Sequence, residues 1–443
     1  MEVTITGGLD VQRGRRFAWH AERCITAGMT PTTLSVDQID LSDLEFWKRP
    51  DREGAFAKLR AERPVAFMKE FVIPGLEMPP GPGYWAVTRY SDVWHVSRHP
   101  EDFTSGQGIQ IPDIPVEFNE YFSSMIAMDA PRHTKLRLLV NKSFLPGMVR
   151  KIEADVRQKA KEIVDAVARK GACDFVAEIA APFPLRIICE MMGIPDSQWK
   201  TVFDQTNIIL GGGDPEFGGT AQHVLAAGFT LSEMAQDLGR HRLEHPTDDL
   251  TSALMHAEVD GQRLTTQELG SFFVLLVAAG NETTRNAISH GMKALTDHPG
   301  ERAKLTSDFA RVMPSAVEEI VRWASPVIHF RRTAARETEL AGQKIEAGDK
   351  VVIFYNSANR DESAFNDPYR FDVTRSPNDH VGFGGGGPHF CLGANLARRE
   401  ISVMFDELFR RLPDIAINGE PDMLLSGFIH GIKRMPCRFT PEG

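Results

Sequence analysis

The chain contains the segment Phe383-Gly-Gly-Gly-Gly-Pro-His-Phe-Cys-Leu-Gly393, and a helical pattern over residues 394–412 follows it directly. The glycines lack a Cβ, so the backbone of this loop can approach a flat ligand closely. Cys391 lies at the entrance of the helix, where the helix dipole stabilises a negatively charged thiolate. Backbone N–H groups beyond the cysteine can also hydrogen-bond its sulfur. These are the conditions that a cysteine ligand of iron requires.

Two other interpretations of this segment stay open. Gly382, Gly384 and Gly387 have the spacing of the dinucleotide-binding fingerprint. Against that interpretation, Pro377 interrupts the stretch before the loop, and the chain ends at residue 443, too soon for a doubly wound domain. The other interpretation is a glycine-rich turn that carries a buried structural cysteine, because free cysteines are commonly buried.

A second polar segment, Ala279-Gly-Asn-Glu-Thr-Thr284, interrupts the apolar pattern of the longest predicted helix, Leu264–His298. Glycine lowers helix propensity, a buried glutamate is costly, and a threonine within a helix can bend it by bonding to the carbonyl four residues earlier. Together they indicate a functional widening of a buried helix, with a groove for a diatomic ligand and a path for protons. The alternative is a helix that ends at Gly280, although the helical period continues to Leu295.

Composition excludes several classes of protein. The 443 residues are 42% hydrophobic and 25% charged, with a net charge of −10, so a large core is possible and nucleic acid is not expected as a partner. The longest purely apolar stretch, Phe272–Ala279, is far shorter than the roughly 20 residues of a membrane span, so no membrane anchor is predicted. Five widely spaced cysteines and the lack of a secretory pattern favour a reducing cytoplasm over a disulfide-bonded scaffold.

Periodicity predicts a mainly α protein with a small β portion. Strand patterns occur at Tyr84–Thr88, in a hairpin over residues 339–346, at Lys350–Tyr355 and in a tail hairpin over Phe428–Phe439. Residues 1–35 lack a sustained period, so we expect a flexible N-terminal extension, with translation starting at Met1 or Met29, and one domain over residues 36–443. The irregular segments 104–122 and 211–219 are candidates for lids or binding loops.

These segments, in this order, resemble a cytochrome P450, a haem-thiolate monooxygenase, over residues 36–440. Glu319-Ile-Val-Arg322 is uninformative alone, because Glu407-x-x-Arg410 has the same spacing, but in this company it matches the charge network of the family, with Arg375 as the third member. The cysteine loop is one residue longer than in most bacterial members. That length resembles the mycobacterial lipid- and sterol-oxidising group, above all its methyl-branched lipid ω-hydroxylases.

The resemblance implies a cytochrome P450 fold, in which a long central helix lies over haem b and the cysteine loop lies beneath it. It implies Cys391 as the axial iron ligand, Thr283 as the residue that holds bound oxygen, and Glu282 as a proton relay. A salt-bridged structural carboxylate is the alternative for Glu282. The remaining haem contacts that the resemblance implies are His133, Arg137, Ala279, Gly280, Arg331, Phe383, Gly384, His389 and Gly393.

The resemblance further implies that O2 hydroxylates an unactivated C–H bond of an apolar lipid, with electrons from a ferredoxin and an NAD(P)H-dependent ferredoxin reductase. The expected reaction is terminal hydroxylation of methyl-branched chains. The alternatives are a sterol side-chain hydroxylase, a non-catalytic haem sensor and a dinucleotide oxidoreductase. Arg398 and Arg399 form either a basic docking patch for an acidic ferredoxin or an ordinary solvated helix face. The residues expected to line the substrate pocket, unless they only pack in the core, are Ile109, Ile111, Leu276, Val327, Ile328 and Phe428.

Overall fold

The computed structural model describes residues 29–70, 81–114, 116–141, 144, 152–210, 214, 216, 220–259 and 261–443. Most of the predicted N-terminal extension, residues 1–28, therefore lies outside the described residues. The end of that extension packs on the domain. Thr32 Oγ1 donates to a carboxylate oxygen of Asp51 at 2.7 Å. The backbone of residues 30–32 lies against Gly54, where a Cβ would come within 2.4 Å of the Thr30 carbonyl oxygen.

The fold is mainly helical, as the periodicity predicts. Short 3₁₀ helices at Val36–Gln38, Leu44–Lys48 and Ser124–Ala127 and a π-helix at Val176–Ala180 connect the longer elements. The α-helices of the described residues are α1 (Arg52–Glu62), α2 (Tyr90–Arg98), α3 (Val116–Ser123), α4 (Arg132–Asn141), α5 (Glu153–Val167), α6 (Pro182–Met192), α7 (Asp196–Leu210), α8 (Ala221–Glu244), α9 (Leu250–His256), α10 (Thr266–Asp297), α11 (Pro299–Ser307), α12 (Phe309–Ala324), α13 (Tyr355–Ala358) and α14 (Ala394–Arg411).

Strands form small sheets beside the helices. The largest sheet has the order β1-β2-β8-β5-β3, in which β2 and β8 run parallel and the other neighbours are antiparallel. The strands are β1 (Val65–Met68), β2 (Tyr84–Val87), β3 (Phe103–Thr104), β4 (Ala172–Asp174), β5 (His329–Ala334), β6 (Thr338–Leu340), β7 (Gln343–Ile345), β8 (Lys350–Phe354), β9 (Ala416–Ile417), β10 (Asp422–Met423), β11 (Ile432–Arg434) and β12 (Pro436–Arg438).

The central helix α10 passes through the main hydrophobic core and packs against α6, α8, α12 and α14. It begins with a capping box: Thr265 Oγ1 accepts from the Glu268 N–H at 3.1 Å, and the Glu268 carboxylate accepts from the Thr265 N–H at 3.0 Å. The helix is continuous through Gly280. A helix end at that glycine is therefore excluded, and the polar segment lies in the middle of a buried helix.

Two sequence predictions about local structure differ from the structure. The tail strands β11 and β12 do not form a hairpin with each other, because β11 pairs with β10 and β12 pairs with both β4 and β9. The irregular segment 104–122 contains helix α3, while most of the segment 211–219 lies outside the described residues. Within the part of the chain that the structure describes, no helix has the length and apolar composition needed to cross a bilayer.

Candidate functional site

The glycine-rich loop is shaped by its packing on helix α2. Gly384, Gly386 and Gly387 have φ angles of +98°, +82° and +76°, which other residues rarely adopt. A Cβ on Gly387 would lie 2.2 Å from the Ser97 carbonyl oxygen. All three glycines are thus required by backbone conformation, and Gly387 is required by its contact with α2 as well. Close approach to a flat ligand, the reason inferred from the sequence, is not what the structure shows for Gly387.

The loop delivers Cys391 to the floor of a deep cavity. The Cys391 N–H donates to the Phe383 carbonyl at 2.9 Å, which closes the loop before α14 begins. The Cys391 sulfur is accessible from the cavity but is otherwise surrounded by protein, and this burial raises the pKa of the thiol. The Gly393 N–H and the guanidinium groups of Arg137 and Arg398 act in the opposite direction. A bound metal cation would complete the deprotonation of a thiol held in this way.

Histidine and arginine side chains cluster at one edge of the cavity. The rings of His133 and His389 lie 4.2 Å apart, and Arg137 lines the same edge. Burial and Arg137 lower the pKa of His133 to about 4, and burial and Arg332 also lower the pKa of His389. His133 Nε2 is buried and has no hydrogen-bond partner among the described residues. A neutral donor beside fixed cations is a suitable environment for a carboxylate.

Neither Arg331, predicted to contact the haem, nor its neighbour Arg332 lines the cavity, but Arg332 lies close enough to His133 and His389 for its charge to act on both. Arg331 Nη1 binds Asp113 at 2.6 Å, and Arg331 does not line the cavity. Successive side chains of a strand point to opposite faces, so Arg332 lies on the same face of β5 as the cavity residue Phe330. The positive charge of Arg332 lowers the pKa of both histidines. Arg332 is therefore better placed than Arg331 to meet a carboxylate at this edge.

Helix α10 presents Leu276, Ala279, Gly280 and Thr283 to the cavity. Thr283 Oγ1 donates to the Ala279 carbonyl at 2.6 Å, the bond expected for a threonine inside a helix. Gly280 is needed for packing as well, since a Cβ there would approach Ile188 Cδ1 to 2.8 Å.

Glu282 lies behind this face and is buried. Its carboxylate accepts hydrogen bonds from Arg285 Nη2 and Asn286 Nδ2, each at 2.8 Å. Glu282 Oε2, Arg285 Nε and both polar atoms of the Asn281 amide are buried without a partner among the described residues. Glu282 is thus a salt-bridged carboxylate, as the alternative interpretation expected. Several buried polar atoms around it have no hydrogen-bond partner among the described residues.

A second buried carboxyl group, Glu400 on α14, lines the cavity from the side of the cysteine. It is 2% exposed. Burial raises the pKa of Glu400 well above its ordinary value, against a smaller lowering by a hydrogen bond from Thr284. The carboxyl group is in contact with Thr284, the residue next to Thr283.

The walls of the cavity are apolar. Of the predicted pocket residues, Leu276 and Val327 line it. Ile111 and Ile328 instead pack in the separate core around β1, β2 and β8, and Phe428 lies behind the cavity, against Phe330. Ile109 is buried away from the cavity and contributes its carbonyl to the Arg331 N–H. Apolar wall residues that the sequence did not single out are Met125, Ile126, Phe272, Leu275, Pro326 and Phe330.

The predicted charge network is assembled next to the loop. Arg322 donates two hydrogen bonds to the Glu319 carboxylate, both at 2.8 Å, and Arg375 Nε donates to the same carboxylate at 3.0 Å. The side chains of Glu319 and Arg322 are fully buried. Arg322 also donates to the carbonyls of Asn359 and Pro368, so the network joins α12 to the segment that precedes the cysteine loop.

Comparisons with known proteins agree with this arrangement. The family model for cytochrome P450 matches residues 222–413. The methyl-branched lipid omega-hydroxylase of Mycobacterium tuberculosis is 50% identical over 418 residues, which cover 93% of this chain and 97% of that protein. The chain belongs to the cytochrome P450 family. The steroid C26-monooxygenase of Rhodococcus jostii is 42% identical over 408 residues, 89% of this P450 and 83% of that protein.

Solved structures show the same relationship. A cytochrome P450 of Mycobacterium marinum in complex with pseudoionone superposes with a TM-score of 0.87 at 47% identity, covering 92% of this chain and all of that one. The protein is thus a P450 monooxygenase, an oxidoreductase, with the predicted P450 fold. Family membership implies a haem iron with a cysteine thiolate ligand. The dinucleotide-binding interpretation of the glycines is thereby set aside.

Besides the apolar wall residues, three polar residues at or near the site escaped the sequence analysis. Arg332 was hidden by its arginine neighbour, and only the strand period, counted from Phe330, could have separated the two. Asn281 lies within the polar segment Ala279–Thr284, but the sequence analysis assigned it no function. Glu400 carried a usable signal, because it is an acidic residue at an inward position of the helix that follows the cysteine.

Proposed function

We propose that this P450 binds haem b through Cys391 and hydroxylates the terminus of a methyl-branched lipid. The observation that carries the proposal is the cavity itself, which is lined by Cys391, by Thr283 of the central helix, by Arg137 and mostly by apolar residues elsewhere. The residues fit the cofactor. The unpartnered His133 Nε2, Arg137 and Arg332 suit the propionates, and the apolar walls suit the porphyrin faces.

Haem, when bound, supplies the activation of O2. The Thr283 hydroxyl can leave the Ala279 carbonyl and donate to an acceptor in the cavity. Glu282, whose carboxylate accepts hydrogen bonds from Arg285 and Asn286, would relay protons behind the helix. Phe383, Gly384 and Gly393 surround the sulfur, and the apolar walls exclude water from the reacting region.

The substrate assignment rests on the relative that is 50% identical and on the apolar walls. Leu275, Leu276, Ala279 and Thr283 occupy one side of α10, so an alkyl chain entering along this side would present its end to the floor. Attack on a terminal methyl group is harder than attack one carbon inward, so such a cavity must restrict the chain sterically. A branched end fills more of an apolar pocket than a straight one does, and each additional buried methylene is worth about 0.8 kcal/mol.

A sterol side chain is the second candidate, favoured by the 42% identity to the steroid C26-monooxygenase. A branched long-chain fatty acid, its straight-chain isomer and a sterol are titrated into the ferric holoprotein while the Soret band is followed. The products are identified by mass spectrometry. We expect the branched acid to bind more tightly than its isomer and to yield the terminal alcohol. A response to the sterol alone would overturn the fatty-acid assignment. Survival in Cys391→Ala of the Soret band that CO gives in the reduced parent protein would overturn the assignment of Cys391 as the haem ligand.

The role of Thr283 is tested with two substitutions. Thr283→Ala should lower product formation about 100-fold, the lower end of the range for a positioned proton donor, while O2 consumption continues. Thr283→Ser keeps the hydroxyl group and should retain most of the product. Equal product formation in all three proteins would contradict the assignment and would favour a non-catalytic haem sensor.

We also propose that a ferredoxin and its NAD(P)H-dependent reductase deliver the electrons in the cytoplasm. A basic patch at Arg398 and Arg399 receives little support. Arg398 binds Glu318 at 2.6 Å, and Arg399 pairs with Glu153. Reconstitution with a ferredoxin–reductase pair and with a flavoprotein reductase alone distinguishes the two modes of electron delivery, because product from the flavoprotein alone would contradict the proposal.

A further inference from the structure

Two cysteines far apart in the sequence meet in the small sheet β4-β12-β9. Cys173 on β4 is directly opposite Cys437 on the antiparallel strand β12. Their Sγ atoms are 3.4 Å apart. Directly opposite residues of antiparallel strands have Cα atoms about 4.5–5.5 Å apart, within the range of about 4.4–6.8 Å that a disulfide accepts. The wide spacing of the cysteines in the sequence gave no indication of this pair.

The environment of the pair favours oxidation. Cys173 is partly exposed, so a small oxidant can reach it, whereas Cys437 is buried in the main core. The Cys173 thiol and the Cys173 backbone N–H hydrogen-bond the Cys437 sulfur and lower the pKa of the Cys437 thiol. A thiolate is the reactive form of cysteine. Cys189 is also free and buried, but burial raises the pKa of its thiol to about 12.

We propose that Cys173 and Cys437 form a peroxide-sensitive dithiol that closes to a disulfide. One sulfur of the pair, as its thiolate, attacks hydrogen peroxide, so that an S–O bond forms, the O–O bond breaks and the leaving hydroxide takes a proton to become water. The other sulfur then attacks the oxidised one, so that the S–S bond forms and the S–O bond breaks with release of a second water. Two thiols and one peroxide thus give one disulfide and two waters.

The disulfide would join β4, which lies between α5 and α6, to the end of the chain. The closed loop would contain α10, the charge network and the cysteine loop, because all of them lie between residues 173 and 437. A crosslink across so long a loop restricts the unfolded chain strongly. Oxidation should therefore stabilise the fold without touching the cavity, which neither cysteine lines.

The experiment treats the full-length ferric holoprotein with hydrogen peroxide, removes the excess with catalase and maps the peptides under non-reducing conditions. We expect a linked Cys173–Cys437 peptide that is two hydrogens lighter than its parts, and a rise in the apparent Tm of about 3–8 °C that dithiothreitol reverses. Cys189→Ser should behave like the parent protein. Cys173→Ser and Cys437→Ser should show neither the peptide nor the rise.

Each other outcome overturns the proposal. These are reduced thiols at both positions after treatment, sulfinic acid at one position with the other still reduced, or a Tm rise that persists in the two serine variants. Because the readouts are peptide mass and Tm rather than turnover, the result is independent of the substrate of the enzyme.

Discussion

Arg331 and Arg332 are adjacent on β5, yet their guanidinium groups have different functions. Arg331 binds Asp113, and Arg332 is buried beside His133 and His389, with the Arg331 carbonyl as its hydrogen-bond acceptor at 2.8 Å. A buried guanidinium with only backbone acceptors has unused donors, so a carboxylate of the cofactor is a suitable partner. We therefore propose that Arg332, rather than Arg331, makes the propionate contact.

Replacement of either arginine by alanine separates the two roles. Arg332→Ala should raise the rate of haem loss about tenfold or more, because a hydrogen bond to a charged group is worth about 1.5–3 kcal/mol. Arg331→Ala should lower the free energy of unfolding but leave the rate of haem loss within about twofold of the parent, since its partner is Asp113. Transfer of haem to an excess of apomyoglobin measures both rates. Faster haem loss from Arg331→Ala than from Arg332→Ala would contradict the assignment.

Among single residues, those with unusual chemistry could be located from the sequence. Cys391 and Thr283 stand in motifs whose composition is costly without a function, and the structure places both in the cavity. Arg331 was preferred to Arg332 because the period of a short strand separates two adjacent arginines only when one inward residue, here Phe330, is already known. Such a one-residue ambiguity can be resolved only by the three-dimensional register.

At the level of elements, the glycine loop and α2 fit each other closely. Gly348 and Gly387 both have positive φ, at +91° and +76°, but a Cβ at Gly348 would meet open space. Gly387→Ala should lower the free energy of unfolding by about 2–5 kcal/mol, from about 1–2 kcal/mol of backbone strain and about 1–3 kcal/mol of overlap with Ser97. In Gly348→Ala, the matched control, the free energy of unfolding should fall only by the strain contribution of about 1–2 kcal/mol. Urea unfolding of both variants measures the difference, and equal losses would contradict the packing argument.

The network between α12 and the loop has a matched control in the same chain. Glu407 and Arg410 pair at the same helical spacing as Glu319 and Arg322, but Arg410 is exposed. Glu319→Gln should cost about 3–5 kcal/mol and reduce haem incorporation, because it leaves two arginines uncompensated. Glu407→Gln should cost less than about 1 kcal/mol. Urea unfolding and the haem-to-protein ratio after purification measure both effects, and similar costs in the two variants would contradict a structural role for the network.

For the whole molecule, the sequence predicted the bounds of the central helix well but did not predict how the tail strands pair. The central helix was predicted as Leu264–His298 and observed as Thr266–Asp297, because capping and periodicity are local signals. The tail strands were wrongly paired with each other, because β12 finds its partner in β4, more than half the chain away. Pairing of that kind depends on the assembled core, and the Cys173–Cys437 contact was hidden for the same reason.

The stability of the whole molecule should also depend on histidines that the core keeps neutral. Burial lowers the pKa of His290 and of His329 to about 4, from 6.5, and also lowers the pKa of His430. The rings of His290 and His430 lie 4.1 Å apart, and Arg52 and Arg360 oppose a positive charge on either ring. As the pH falls below 6.5, the unfolded chain therefore takes up protons that the folded protein does not.

The stabilisation from these histidines is complete above pH 6.5 and is lost as the pH falls towards 4. Each histidine should contribute about 1.4 kcal/mol per pH unit to that loss. Urea unfolding at pH 7, 6 and 5 measures the slope. His329→Phe places an aromatic ring beside Phe354 and Phe428 and removes one titrating group. The free energy of unfolding of this variant should therefore change less steeply with pH, by about 1.4 kcal/mol per pH unit. Parallel slopes for the variant and the parent would show that burial at this position does not control acid stability.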